Sequence, residues 1–317
     1  MVRIAVLDDY QNVALKSADW SVLPANAEVR VFNDHVADQA KLIERLREFE
    51  VICAMRERTP LTRDIIAALP KLKLIVTTGL RNASIDVKAA SAQGVMVCGT
   101  NGVGHPTAEL TWALILGLMR NIGSESAAMR QGKWQTTVGR SLKGSTLGVI
   151  GLGKLGGQVA RIAGAFGMEV IAWSENLTAR RAAEVGARLV DKETLLREAD
   201  VVTIHLVLSA RSRGLIGKAE LALMKRDAYI VNTSRGPIID EAALIEALKA
   251  GRIGGAGLDV YAVEPLPADH VLRSLPNVLL TPHLGYVTDD TYAVFYRETA
   301  ESVKAWLDGK PVRVIEP

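Results

Sequence analysis

Residues 146 to 173 constrain this chain more than any other stretch. They read Thr146-Leu-Gly-Val-Ile-Gly151-Leu-Gly153-Lys-Leu-Gly156, then a run with helical apolar spacing (Leu155, Val159, Ile162, Ala163, Phe166), then Met168-Glu-Val-Ile-Ala-Trp173. An apolar run, a glycine cluster, a helix and a second apolar run make one βαβ unit. In such a unit Gly151 permits the tight turn, Gly153 lets the backbone approach a pyrophosphate, and Gly156 lets the helix lie close on the strand. The N–H groups of Lys154 and Leu155 would then face phosphate oxygens at a helix N-terminus, where the dipole favours anions. The stretch therefore predicts a dinucleotide site.

The ribose end of that site is mixed. An acidic residue about 20 positions past the glycines binds ribose hydroxyls in NAD-type units. Here the second strand ends Trp173-Ser174-Glu175-Asn176. Glu175 suits the ribose and repels a 2′-phosphate, whereas Ser174, Asn176, Arg180 and Arg181 would suit one. The balance favours NAD and leaves NADP open.

Both neighbours of this unit continue the pattern. Before it, Ile4–Leu7, Glu28–Phe32, Val51–Ala54, Leu74–Thr77 and Val95–Val97 read as strands, with helical runs such as Gln39–Glu48 and Arg63–Ala68 between them. Pro106 opens a helix to about Arg120 that is apolar all round, which predicts burial between domains. Residues 123–140 are polar and read as a loop with a helix. After the glycine unit, Asp200–His205, Ala228–Asn232, Ala256–Val260 and Val278–Thr281 read as strands, Glu241–Lys249 as a helix, and Asp289–Leu307 as the last helix. This alternation predicts parallel sheets with helices on both faces. The length of 317 residues allows two domains. A net charge of +3 argues for neither nucleic acid nor a membrane surface as partner. Cys53 and Cys98 each end an apolar run and read as small buried residues of a reducing compartment, not as a disulfide or metal pair. With no leader-like start and no spanning apolar stretch, the expectation is a cytoplasmic protein without a metal site.

Ligands of parallel sheets bind outside the carboxyl ends of strands. Three polar residues follow such ends in the last third: Arg235, Glu264 and His283. Together they meet an acid–base need. A guanidinium forks onto a 2-oxo carboxylate, a histidine exchanges the proton as hydride moves, and a carboxylate beside the histidine fixes its tautomer.

With these residues the chain resembles the D-isomer-specific 2-hydroxyacid dehydrogenases over nearly its whole length. The motifs are Leu147-Gly-Val-Ile-Gly-Leu-Gly-Lys-Leu-Gly156, Val231-Asn-Thr-Ser-Arg-Gly-Pro-Ile-Ile-Asp-Glu241, Gly257-Leu-Asp-Val260 with Val263-Glu-Pro265, and Thr281-Pro-His-Leu-Gly285. The resemblance implies two doubly wound α/β domains. A Rossmann-type nucleotide domain (101–284) is inserted in a flavodoxin-like substrate domain (1–100 and 285–317). It implies hydride transfer between NAD(P)H and a small 2-oxo acid, with Arg235 on the substrate, His283 as acid–base and Glu264 orienting it. It also implies Asp259 on the nicotinamide carboxamide, cofactor contacts from Thr107, His205, Thr233 and Ser234, and a homodimer. Formate, phosphite or 3-phosphoglycerate oxidation are rival activities on the same fold. A nucleotide-sensing co-repressor is a rival of another class.

Three departures stand out. Family members carry glycine, any residue, glycine and an aromatic before Asp-Asn-Ile-Asp; this chain reads Gly79-Leu-Arg-Asn-Ala-Ser-Ile-Asp86. The substrate-loop candidates are therefore Arg56, Gly79, Leu80 and Arg81. Arg81 either adds an anionic contact with Arg56 or pairs locally with Asp86. Tyr286 replaces a small residue, and either shapes the substrate site or packs between domains. Val207 replaces a proline in the loop after His205.

Overall fold

The computed structural model describes residues 1–317, which cluster into two compact units: 1–103 with 288–317, and 104–287. The first unit opens with β1 (Val2–Val6), β2 (Ala27–Val31), α1 (Gln39–Leu46), β3 (Val51–Ala54), α2 (Arg63–Ala67), β4 (Leu74–Thr77), α3 (Val87–Ala92) and β5 (Met96–Gly99). The five strands pair in parallel in the order β2-β1-β3-β4-β5. This is the flavodoxin-like order. β3 and β4 are buried at every residue, as strands covered on both faces must be. Helix α3 was not evident from apolar spacing; Asp86, whose side chain accepts from Ala89 N at 2.8 Å, starts it.

The second unit runs through α4 (Pro106–Met119), α5 (Ile122–Arg130), β6 (Thr146–Ile150), α6 (Lys154–Ala165), β7 (Glu169–Trp173), α7 (Ala179–Ala183), β8 (Arg188–Leu189) and α8 (Lys192–Glu198). It continues with β9 (Val201–Ile204), α9 (Lys218–Leu223), β10 (Tyr229–Asn232), α10 (Glu241–Lys249), β11 (Gly255–Leu258) and β12 (Val278–Leu280). Its seven parallel strands lie in the order β12-β11-β10-β9-β6-β7-β8, a Rossmann order with its reversal between β6 and β9. Helix α4 packs on α6 and on β10 to β12, which accounts for its near-absence of polar residues.

The final helix, α11 (Asp289–Leu307), belongs to the first unit and lies on β4 and β5. The chain then ends beside β5, where Gly99 N donates to Arg313 O and Ile315 N to Val97 O. No helix is long and apolar enough to cross a membrane. Both cysteines are buried free thiols, and burial pushes Cys53 up to about 12.

Candidate active site

The βαβ unit folds as its glycines require. Gly151 has φ +95°, and a Cβ there would meet His205 O at 2.6 Å. A Cβ on Gly156 would meet Gly151 O at 2.1 Å, so α6 can seat on β6 only without a side chain at that position. Gly153 differs: nothing lies within 4 Å of its Cβ position, so packing does not demand glycine there. It caps α6 without any side-chain hydrogen bond, while α1, α3, α8 and α10 are each capped by an aspartate. An uncapped N-terminus with open space before it fits a bound phosphate group. The residues present therefore fit a dinucleotide at this turn.

Around this turn the other candidates have definite surroundings. Ser174 and Glu175 follow β7, and Glu175 is exposed. Arg181 pairs with Glu184 at 2.6 Å on α7. His205 follows β9, with Nε2 3.0 Å from Thr203 Oγ1 and a buried Nδ1 without a partner. Burial pushes its imidazole down to about 4, so it is neutral at ordinary pH. The loop that follows lacks the expected proline; buried Ser212 closes it instead, donating to Val207 O at 2.7 Å and accepting from Ser209 N at 2.8 Å.

The three acid–base candidates follow β10, β11 and β12, which are neighbours in the sheet. After β10, Asn232 organises the turn: its Nδ2 donates to Arg235 O (3.0 Å) and its Oδ1 accepts from Ser234 N (3.0 Å). Ser234 Oγ donates to Ile204 O, and Thr233 Oγ1 lies 2.8 Å from Thr111 Oγ1 on α4. Gly236 lies against the next loop so closely that a Cβ would fall 2.0 Å from Tyr261 C. That contact sets the Arg235 turn beside the loop carrying Glu264. Glu264 Oε1 accepts from Tyr261 N at 3.0 Å, and Oε2 lies 2.6 Å from His283 Nδ1. Both side chains are largely buried, 19% and 13% exposed, so this charge-assisted bond is shielded from water.

His283 itself adopts φ +55°, unusual for a residue with a side chain. Asp259 holds the loop in that shape. Its Oδ1 accepts from Thr281 Oγ1 (2.6 Å) and Leu284 N (2.6 Å), and its Oδ2 from Gly285 N (2.9 Å). Burial raises the Asp259 carboxyl, against the opposing pull of Thr281 and His283. Thr107 Oγ1 donates to Gly285 O at 2.8 Å, so α4 supports the same loop. Sequence spacing alone showed neither anchor. Tyr286 lies edge-on to His283, with ring centroids 5.7 Å apart.

The substrate-loop candidates lie at the carboxyl ends of β3 and β4 in the other unit. Arg56 N donates to Thr78 Oγ1 (2.8 Å) and Arg56 Nη1 to Thr78 O (3.1 Å), which lays the guanidinium on Gly79. A Cβ on Gly79, which has φ +93°, would fall 2.0 Å from Nη1. Asn82 accounts for the departing sequence of this loop. Its Nδ2 donates to Arg56 O (2.6 Å) and Thr77 Oγ1 (2.8 Å), and its Oδ1 accepts from Ser84 N, stitching two loops that a family aromatic would leave unjoined. Leu80 and Arg81 are exposed. Asp86, the local partner considered for Arg81, instead caps α3 and lies 3.8 Å from Arg63.

Known proteins resemble this chain in sequence and in fold. The family model for the D-isomer specific 2-hydroxyacid dehydrogenase, NAD binding domain, matches residues 112–285. A D-3-phosphoglycerate dehydrogenase of Methanocaldococcus jannaschii is 38% identical over 98% of this chain and 58% of that protein. A glyoxylate reductase of Aeropyrum pernix is 39% identical over 78% of this chain and 77% of that protein. The crystal structure of a phosphoglycerate oxidoreductase from Vibrio cholerae superposes with a TM-score of 0.92 at 40% identity, covering 98% of this chain and 100% of that one. The chain spans 55% to 58% of the length of three 3-phosphoglycerate dehydrogenases that it matches. A glycine turn under an uncapped helix, a Glu–His pair at the edge of a Rossmann sheet and this breadth of likeness lead to one conclusion: the chain belongs to the D-isomer-specific 2-hydroxyacid dehydrogenase family, with an NAD-binding domain.

Proposed function

We propose that this chain is an NAD(P)-dependent oxidoreductase that interconverts a small 2-oxo acid and the D-2-hydroxy acid. The 2.6 Å contact of His283 with Glu264, beside the Arg235 turn and in the unit that carries the glycine turn, supports the reading most directly. Glu264 holds a proton on His283 Nδ1, which leaves exchange with the substrate oxygen to Nε2. In reduction His283 gives its Nε2 proton to the carbonyl oxygen as C2 gains hydride and keeps the Nδ1 proton on Glu264; in oxidation Nε2 takes the hydroxyl proton. Arg235 binds the carboxylate and polarises the carbonyl. Asp259 and Thr107 keep the His283 loop in place while this happens, and Tyr286 limits the space beside the imidazole. When bound, the dinucleotide supplies or accepts the hydride.

NAD is the favoured cofactor. Glu175 is available to ribose hydroxyls, and the Arg181–Glu184 pair occupies one of the two arginines a 2′-phosphate would use. For the substrate, the Arg56 guanidinium fixed over Gly79 and the exposed Arg81 support a 2-oxo acid carrying a second anionic group. The relatives' names, 3-phosphoglycerate dehydrogenase and glyoxylate reductase, span acids with and without such a group. A homodimer formed through the second unit is supported by exposed apolar side chains on α5 and the strand-free segment after it: Trp134 is 73% exposed and Val138 95%.

The test is titration of the purified protein with NADH and NADPH, followed by a panel of glyoxylate, hydroxypyruvate, pyruvate and oxaloacetate. NADH binding with oxidation by at least one acid is expected, and His283→Ala should lower turnover roughly 10²–10⁴-fold. Cofactor binding without turnover on any acid would shift weight to another substrate or to the nucleotide-sensing binding protein, and a loss under about tenfold with hydride transfer rate-limiting would reject His283 as the acid–base.

A further inference from the structure

The first unit carries a second polar cluster, remote in sequence from the Glu–His pair. In the order β2-β1-β3-β4-β5 the winding reverses between β1 and β3, the place where doubly wound sheets hold ligands outside their carboxyl ends. Asp8 sits there, just past β1, only 3% exposed and at φ +58°. A buried carboxylate in the left-handed region is doubly unfavourable and persists only where its surroundings hold it. Here they do: Oδ1 accepts from His35 Nδ1 at 2.9 Å and Oδ2 from Thr59 Oγ1 at 2.7 Å.

Thr59, itself 2% exposed, closes the basic turn Arg56-Glu57-Arg58. The other end of the turn hangs from β4 through the bonds of Arg56 to Thr78 and of Asn82 to Arg56 O. One end is thus fixed by β4 and the other by Asp8, 51 residues from Thr59 in the chain. The residue type matters. A carboxylate accepts on both oxygens at once, whereas a glycine removes both acceptors and leaves the left-handed backbone unstrained.

We propose that Asp8 is a positioning residue for substrate recognition. With His35 on one oxygen, it fixes Thr59 with the other, and so sets where the Arg56–Arg58 turn presents its charge to a second anionic group on the 2-oxo acid. This rests on the reading that the Arg56 turn recognises that group. The group's source is either a carboxylate or a phosphate, and two substrate arms separate them.

The experiment uses full-length Thr59→Val, Thr59→Ser, Asp8→Gly and Arg56→Ala. Glyoxylate carries one anionic group, oxaloacetate adds a carboxylate, and 3-phosphohydroxypyruvate adds a phosphate. Affinity is read as KM where the acid is reduced, and as an inhibition constant against glyoxylate where it is not. Thr59→Val should weaken at least one doubly anionic acid about tenfold, the cost of a displaced charged contact. The glyoxylate KM, kcat and NADH affinity should stay within about twofold, and Thr59→Ser should restore the wild-type ratio. Asp8→Gly, which removes both acceptors, should repeat Thr59→Val; if it does not fold, the Thr59 pair decides. Equal weakening of all acids by Thr59→Val, or no rescue by Thr59→Ser, overturns the proposal. If Arg56→Ala leaves the ratio of doubly to singly anionic acids unchanged, the reading of the basic turn fails, and the role of Asp8 with it. If Arg56→Ala lowers that ratio and Thr59→Val does not, only the role of Asp8 fails.

Discussion

A single methyl group on Gly236 should disable the Arg235 turn. The Cβ of Gly236→Ala would lie 2.0 Å from Tyr261 C, 2.1 Å from Tyr261 O and 2.6 Å from Ala262 N, all backbone atoms, whereas ordinary contacts begin at 3.4 Å. No rotamer relieves such a clash, so one loop must retreat by more than an ångström. Tyr261 resists, because its hydroxyl donates to Leu258 O and Thr281 O and its N–H to Glu264 Oε1. The Arg235 turn therefore moves relative to the Glu264–His283 pair. Overpacking of this kind costs about 1–3 kcal/mol of stability, and a displacement near 1 Å at a reacting centre costs about 10²-fold in rate. The assay is kcat/KM for the best 2-oxo acid, with melting temperature and NADH affinity measured on the same preparation. A folded variant that binds NADH normally and has lost about 10²-fold in kcat/KM is expected. A folded variant within about threefold of wild type would refute the reasoning, since the turns would then not be coupled through this contact.

Three further outcomes follow from the same geometry. Gly153→Ala should melt as wild type, because its Cβ meets nothing within 4 Å, yet bind NADH about tenfold more weakly as the methyl crowds the helix N-terminus; unchanged affinity in a fluorescence titration would remove that glycine from the cofactor site. Asp259→Asn should lower kcat at least about tenfold, because one of its three donors would face an N–H; a change confined to the KM for NADH would make Asp259 a cofactor ligand and not a support for His283. For His205 the pH sign is definite. Its folded pKa, about 4, lies below the ordinary 6.5, so the unfolded state takes up the proton first as pH falls. Its penalty is absent well above pH 6.5, grows through the window down to about 4, and reaches about 3 kcal/mol. His205→Gln should flatten the fall in urea midpoint between pH 7 and pH 4.5; parallel falls in both proteins would show that this imidazole does not titrate as its burial requires.

Much of this protein was legible in order along the chain. The glycine unit, the helix that Pro106 opens and the helices over 241–249 and 289–307 all depend on residues within a few positions of one another. Turn freedom, capping and apolar spacing act at that range, so they show in a string of letters. Strand ends blurred by one or two residues, as at Val95–Val97 against β5 and Ala256–Val260 against β11, because pairing with a neighbour decides where a strand stops. The shared edge of the acid–base candidates was legible for a related reason: each follows a strand end, and parallel strands bring such ends to one edge. Their supports were not legible. Asp259 under the His283 loop, Thr107 on Gly285, Asn82 joining two loops and Asp8 holding Thr59 are polar contacts between distant segments. A buried polar atom must find a partner, but its residue type does not say which. The same holds for His205, whose neutrality comes from burial that no neighbouring residue announces. The sequence by itself determined the α/β class and the glycine turn, and it singled out the acid–base candidates, since these rest on local backbone chemistry. Only the tertiary structure decided which buried groups hold them in place, because those partners meet only once the sheets have brought their loops together.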